Sequence, residues 1–345
     1  MEPADALERI AYLLDRAREA TYRVRAYKRA AEVVRAVPLD ELADRARLGT
    51  LTELEHLGPK TAAIVAETLA DGEPAYLREL EARTAIASGP GDGLRAALRG
   101  DCHSHSDWSD GGSPIEVMAR AARALGHEYQ VLTDHSPRLT VANGLSPERL
   151  LRQLDVVAEL NEVFAAEAAA GTAAPFRLLT GIEVDILDDG SLDQSDELLG
   201  RLDLVVASVH SKLRMDASQM TRRMATAVAN PHVDVLGHCT GRIVVGRGRP
   251  ESEFDAELVF HACARFDTAV EINCRPERLD PPRRLLAIAA DAGCRFSIDT
   301  DAHAPGQLEW QPYGCDRAAD AGIDAGRIVN ALPLDELLEW TAGHV

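Results

Sequence analysis

Residues 202–210 read LDLVVASVH, a short apolar run that stops at a histidine. Six other stretches share this build: RGDCHSH (99–105), YQVLTDH (129–135), FRLLTGIEVD (176–185), VDVLGHC (233–239), TAVEINC (268–274) and RFSIDTDAH (295–303). Enough chain of helical pattern separates consecutive runs for a crossover helix each time, which is the signature of parallel β/α units. In such architectures the carboxyl ends of the strands share one face, and active sites are built there. The runs end at His103 and His105, at His135, Glu183, His210, His238 and Asn273, and at Asp301 with His303. Side chains far apart in sequence are therefore expected to converge. Alternation along a strand explains the His-x-His and Asp-x-His spacings, because residues two apart point to one side.

Six of the 11 histidines thus hold the same topological position. The other five, His56, His127, His232, His261 and His344, lack it and are read as structural or surface residues. With Asp110, Glu183 and Asp301 the inventory becomes six histidines and three carboxylates. That exceeds the ligand set of one tetrahedral zinc and suits two or three ions. Imidazole and carboxylate without thiolate fit Zn²⁺, Mn²⁺ or Fe²⁺. A carboxylate bridging neighbouring ions is a usual device for phosphate-ester hydrolysis: one ion turns water into hydroxide while the cluster clamps the phosphoryl oxygens. Arg138, Arg242 and Arg275 lie near the same strand ends and are candidates for a bidentate grip on phosphate. Asp101 and Asp107, within DCHSHSDWSDGG (101–112), are read as bystanders.

The 345-residue chain has room for a barrel and a small domain. Its residues are 46% hydrophobic but only 4% aromatic, so the core must be mainly Leu, Val, Ile and Ala. The six cysteines form no Cys-x-x-Cys pair and are expected to be small buried apolar residues. No signal peptide and no stretch of about 18 uncharged apolar residues is present, so a cytoplasmic protein is expected, with no membrane partner. A net charge of −19 argues against broad, nonspecific affinity for nucleic acid. The charge is uneven, however: residues 16–35, RAREATYRVRAYKRAAEVVR, hold seven basic and two acidic side chains. Residues 1–83 read as helical throughout, and SGPGDG (88–93) has linker composition. The expected division is a helical domain over 1–84, a linker over 85–98 and a barrel over 99–345.

The motifs DCHSHSDWSDGG, TDHS, GIEVD, ASVHS, LGHCTGR and DTDAH closely resemble the PHP (polymerase and histidinol phosphatase) domain. They are most similar to the form found at the C-terminus of bacterial family X DNA polymerases, as are VANGLSPERL, ILDDGSLD, NPHVDVLGHCTGR and ALPLDELLEW. The resemblance implies an α/β fold, a distorted seven-stranded (β/α)7 barrel, with three divalent ions (Mn, Zn or Fe) at the strand C-termini. It implies that His103, His105, Glu183 and Asp301 hold the first ion. Glu183 then bridges to a second held by His210 and His238, and Asp110, His135 and His303 hold the third. The catalytic set it implies is Glu183, Asp301, Arg242 and Arg275, around a metal-activated hydroxide near Glu183.

The stretches YRVRAYKRAAEVV (22–34) and LTELEHLGPKTAAIVAETLADG (51–72) resemble the small helical DNA-binding domain of the same polymerases, the second as a helix-hairpin-helix. DNA-facing residues are then expected at Arg25, Lys28, Arg29, Gly58, Lys60 and Thr61. Gly58 would let the backbone approach a phosphate, and the following helix N-terminus would supply amide donors. His56 replaces the motif's first glycine, which is expected to disturb the turn. With only Lys28 and Lys60 in this region, Schiff-base lyase chemistry has few candidates. No nucleotidyltransferase palm separates the two regions, so polymerase activity is not expected. The leading expectation is a metal-dependent phosphoesterase acting on DNA ends, as a 3′–5′ exonuclease or a 3′-phosphatase. The alternatives are a small-molecule phosphomonoesterase of histidinol-phosphatase type, acting on a phosphorylated metabolite, and a non-catalytic DNA-repair scaffold.

Overall fold

A computed structural model describes residues 1–343; His344 lies outside the described residues. The chain forms two compact units, one of Met1–Ala87 with Pro305–Gln307 and one of Ser88–Ala304 with Leu308 onward.

The second unit holds seven strands: β1 (Gly100–Asp101), β2 (Tyr129–Leu132), β3 (Arg177–Asp185), β4 (Leu204–Ser208), β5 (Val235–Leu236), β6 (Ala269–Asn273) and β7 (Phe296–Asp299). They lie in sequence order in one sheet, and every neighbouring pair is parallel. Every residue of β2, β4, β6 and β7 is buried. Strands covered on both faces read as unbroken apolar runs, which is why this sheet was visible in the sequence. Crossover helices such as Pro147–Ala169 and Ala256–Phe266 return the chain each time. Both start at side-chain caps, Ser146 accepting from the Arg149 amide and Asp255 from that of Leu258. Val131, Leu179, Val206 and Val235 form the core of the sheet with Leu337 and Trp340 of the last helix, Leu334–Ala342.

The sheet curls until its first and last strands meet. No ladder joins β1 to β7; side chains and single bridges fasten the seam. Ser104 and Ala302 form an isolated parallel bridge, and the His105 amide donates to Ala302 O at 2.8 Å. The Cys102 amide donates to Asp299 Oδ1 at 2.8 Å. Buried Asn330 donates to Ile298 O at 2.7 Å and to Gly100 O at 3.2 Å, spanning both strands. The result is a distorted seven-stranded (β/α) barrel.

The first unit is helical, as expected. It contains α1 (Pro3–Arg16), α2 (Thr21–Ala36), α3 (Leu39–Leu48), α4 (Pro59–Asp71) and α5 (Ala75–Thr84). Leu7, Ile10 and Leu14 of α1 pack with Ala30, Ala31, Val65 and Leu77 in a core of its own. A short helix, Asp92–Ala97, begins within the SGPGDG stretch, and the Gly91 amide donates to Asp316 Oδ1 at 2.9 Å. All six cysteines are free and buried. No helix among the described residues is long and apolar enough to cross a membrane.

Candidate metal centre

All nine residues expected as ligands meet at the C-terminal ends of the strands. Glu183, near the end of β3, lies at the middle. Its Oε1 is 2.8 Å from His238 Nε2 and 3.2 Å from His210 Nε2. Its Oε2 is 2.8 Å from His135 Nδ1, 3.4 Å from His103 Nε2 and 3.7 Å from His105 Nε2. Asp301 Oδ1 lies 3.4 Å from His105 Nε2 and 4.0 Å from His103 Nε2. Asp110 Oδ1 lies 3.5 Å from His135 Nε2 and 3.3 Å from His303 Nε2.

Three groups of donor atoms fall within 4.8 Å of one another: His103, His105 and Asp301; His135, Glu183 and His210; and His105, Asp110, His135 and His303. Against the expected partition, Glu183 is absent from the first group and His238 from the second, while His135 enters the second and His105 the third. His105 stands between the first and third groups, and His135 between the second and third. His238 joins through its approach to Glu183.

The cluster fits divalent cations. His103 Nε2, both nitrogens of His105 and of His210, and both oxygens of Glu183 are buried without a hydrogen-bond partner. Each such orphan costs about 1–3 kcal/mol, and one cation among them satisfies several at once. The charges agree. Burial opposes ionisation of Glu183, yet His210, His135 and His103 hold its carboxyl well below the usual range. Burial likewise opposes ionisation of Asp301, which Arg275 and His103 overcome. Burial disfavours the imidazolium of His210, but Glu183 and Asp185 push its pKa up to about 9. His105 shifts the other way, through burial and the neighbouring His303 and His135. Ionised carboxylates that retain protons on nearby imidazoles mark a pocket built to hold positive charge.

Local structure explains how each ligand is aimed. Asp101 is no bystander: it is fully buried and accepts from the His103 amide at 3.1 Å and from the Thr300 amide at 3.3 Å, tying the two ligand-bearing strand ends together. Burial pushes its pKa up to about 6. The 105–112 loop winds around Asp134, which accepts from the Ser106 amide at 2.8 Å, from the Ser106 and Ser109 hydroxyls at 2.5 Å each, and from Gln153 at 2.7 Å. Gly111 closes that loop; a Cβ there would stand 2.6 Å from the Ser106 backbone. Asp301 takes a left-handed backbone, φ +51, a strained conformation of the kind found at functional sites.

Several site residues were not anticipated. Glu271 accepts from His103 Nδ1 at 2.6 Å and also from the His238 amide. Asp185 Oδ1 lies 3.3 Å from His210 Nδ1. Each leaves the other ring nitrogen facing Glu183, the arrangement that orients ligating histidines. Both were within reach of the strand pattern, since Glu271 precedes Asn273 by two residues and Asp185 follows Glu183 by two. Arg278 Nε lies 3.3 Å from Asp301 Oδ2.

Of the expected arginines, Arg275 reaches the cluster, with Nη1 3.3 Å from Asp301 Oδ1 and 3.2 Å from His303 Nδ1. Arg242 does not. Its Nε donates to Arg278 O at 3.0 Å and its Nη2 to Leu279 O, so it braces a loop. Half-exposed Arg138 lies 3.5 Å from Asp185 Oδ2.

In the helical unit Arg25, Arg29 and Lys60 are exposed, while Lys28 Nζ lies 3.3 Å from Asp15 Oδ2. The Thr61 hydroxyl turns inward and donates to Gly58 O at 3.1 Å. Gly58 is the N-cap of α4, with open space where a side chain would stand. The turn survives the loss of its first glycine because His56 itself adopts φ +62.

A parallel β/α barrel with this imidazole and carboxylate cluster at its strand ends has the build of a metal-dependent hydrolase. The chain belongs to the PHP domain family, whose model matches residues 101–273, and it is a phosphoester hydrolase. A helix-hairpin-helix domain model matches residues 1–74. The chain is 38% identical over 240 residues to the DNA polymerase/3′-5′ exonuclease PolX of Bacillus subtilis (strain 168), a match covering 70% of this chain and 40% of that protein. It is 29% identical over 214 residues to a probable phosphatase of Thermoanaerobacter sp. (strain X514), covering 59% of this chain and 78% of the relative. Among solved structures, the histidinol phosphate phosphatase of Lactococcus lactis, complexed with zinc, L-histidinol and phosphate, superposes with a TM-score of 0.44 at 17% identity. That match covers 66% of this chain and 95% of the other.

Proposed function

We propose that the protein hydrolyses phosphate esters at DNA ends, removing 3′ nucleotides or a 3′ phosphate. The observation that carries this reading is the convergence of six histidines and two further carboxylates about buried Glu183 in a chain that also has a helix-hairpin-helix match. His103, His105, Glu183 and Asp301 would hold one cation, Glu183, His210 and His238 a second, and Asp110, His135 and His303 a third. When bound, such cations supply Lewis acidity and a nucleophilic water at neutral pH.

The chain's own groups do the positioning. Glu271 accepts a hydrogen bond from Nδ1 of His103, and Asp185 faces Nδ1 of His210, so both Nε2 atoms point inward. Arg275 and Arg278 hold Asp301 from two sides. Arg275, at the edge of the cluster, offers donors to a phosphoryl oxygen. On the helical unit, Arg25, Arg29 and Lys60 provide exposed cations for a DNA backbone. The Bacillus relative supports an exonuclease and the Thermoanaerobacter relative a simple phosphatase.

The two are separated directly. With Mn²⁺, the purified protein should shorten or dephosphorylate a 3′-labelled oligonucleotide, and His103→Ala should abolish this. Ready turnover of histidinol phosphate with oligonucleotides left intact would replace the DNA-end reading by the small-molecule one.

A further inference from the structure

Beyond His238 the chain builds a hairpin that none of the steps above uses. Ile243 and Arg249 pair across it as an antiparallel bridge, with reciprocal amide-to-carbonyl bonds of 2.9 and 2.8 Å. Gly246 and Gly248 turn its tip with φ +63 and +62. Its base is fixed to the loop after β6: the Val244 amide donates to Glu277 O at 2.7 Å, and Arg242 holds the carbonyls of Arg278 and Leu279. That same loop sends Arg278 to Asp301. The hairpin is therefore tied to the rim of the metal centre by the loop after β6 and by its own continuity with His238, whose carbonyl accepts from the Gly241 amide at 2.8 Å.

The composition of the tip is unusual for a rim. Val244 and Val245 are 48% and 42% exposed. Arg247 is exposed and has no hydrogen-bond or ion-pair partner among the described residues. Arg275 and Arg278 are engaged with Asp301, and Lys212 with Asp188. Val244, Arg242 and Arg249 also line a cleft of about 690 Å³ with Glu251, Phe254 and Arg284. That volume lies within the range of about 300–1,000 Å³ typical of small-ligand pockets. Sequence-tolerant binding of a single strand combines a surface for base faces with cations for the phosphates; here the exposed valines offer an apolar surface and Arg247 a cation.

We propose that the hairpin 241–250 is the subsite for the single strand that leads into the scissile phosphodiester. Val244 and Val245 pack on the nucleoside next to the reacting one, and Arg247 meets its phosphate. This rests on the DNA-end reading, which it extends by giving the enzyme a grip on the strand beyond the reacting bond.

The test compares a substrate that reaches the hairpin with one that does not. The triple variant Val244→Ser, Val245→Ser, Arg247→Ser alters exposed tip residues, and its melting temperature reports that the fold is kept. Its kcat/KM for a 3′-labelled single-stranded oligonucleotide, divided by that for bis(p-nitrophenyl) phosphate, should fall about tenfold, mainly through KM. Arg247→Gln alone should flatten the log–log salt dependence of oligonucleotide binding by about 0.7. If the wild type cleaves oligonucleotides while both ratio and salt slope are unchanged in the variants, the subsite is refuted and the DNA-end reading stands. If the wild type cleaves the ester and leaves oligonucleotides intact, the DNA-end reading fails and the subsite falls with it.

Discussion

Glu271 fixes two members of the cluster, His103 through its ring and His238 through its amide. Replacing its charge by an amide leaves the shape and weakens the hold on the His103 proton. Glu271→Gln should therefore lower divalent-cation affinity about 10- to 100-fold while leaving the fold intact. A competitive-chelator titration measures this, and equal affinities would remove Glu271 from the positioning role. Eight of the nine ligand candidates were legible because each stands at the end of a recognisable apolar run; the ninth, Asp110, lies in the loop that follows the first run. Glu271 and Asp185 were passed over although they share a strand face with Asn273 and Glu183. Arg242 was misplaced for a physical reason: Gly241, at φ +60, turns the chain, so nearness to a strand end in sequence does not set where the side chain points.

At the level of elements, the turn before α4 shows how a motif tolerates a missing glycine. His56 occupies the left-handed region, which a histidine adopts at modest cost and a β-branched side chain resists. His56→Val should lower the stability of the helical unit by about 1–2 kcal/mol, read as a lower urea midpoint; an unchanged midpoint would show that the turn relaxes freely. The strands were legible by composition, but their lengths were not. β1 and β5 hold two residues each, because the chain leaves the ladder early to deliver His103 and His238. The helix Asp92–Ala97 was hidden inside linker-like composition, since what anchors the adjoining Gly91 is Asp316, more than 200 residues away.

Across the whole molecule, a charge of −19 and the convergence of Asp110, Glu183 and Asp301 were legible in the sequence, but the further carboxylates Asp101, Asp185 and Glu271 behind them were not. Cations bound there stabilise only the folded chain, because the ligands are scattered once it unfolds. Exhaustive chelation should therefore lower the melting temperature by about 5–10 °C, from about 2.7 kcal/mol of linkage at a hundredfold excess over Kd. Added Mn²⁺ or Zn²⁺ should restore it, as followed by calorimetry. A chelated protein that melts unchanged after losing measured metal would contradict the placement of these ions.

The seam between β1 and β7 has a consequence in time as well as in space. It joins Cys102 to Asp299 and Ser104 to Ala302, and the ligands it unites, His103 and His303, are the first and last to be synthesised. At about 5–20 residues per second, a ribosome needs about 10–40 s to travel between them. A nascent chain therefore carries seven of its nine candidate ligands on an open sheet until the final strand brings Asp301 and His303. The proposed metal centre is thus expected to be complete only once β7 closes the barrel, so a chain truncated before Phe296 should show no hydrolysis.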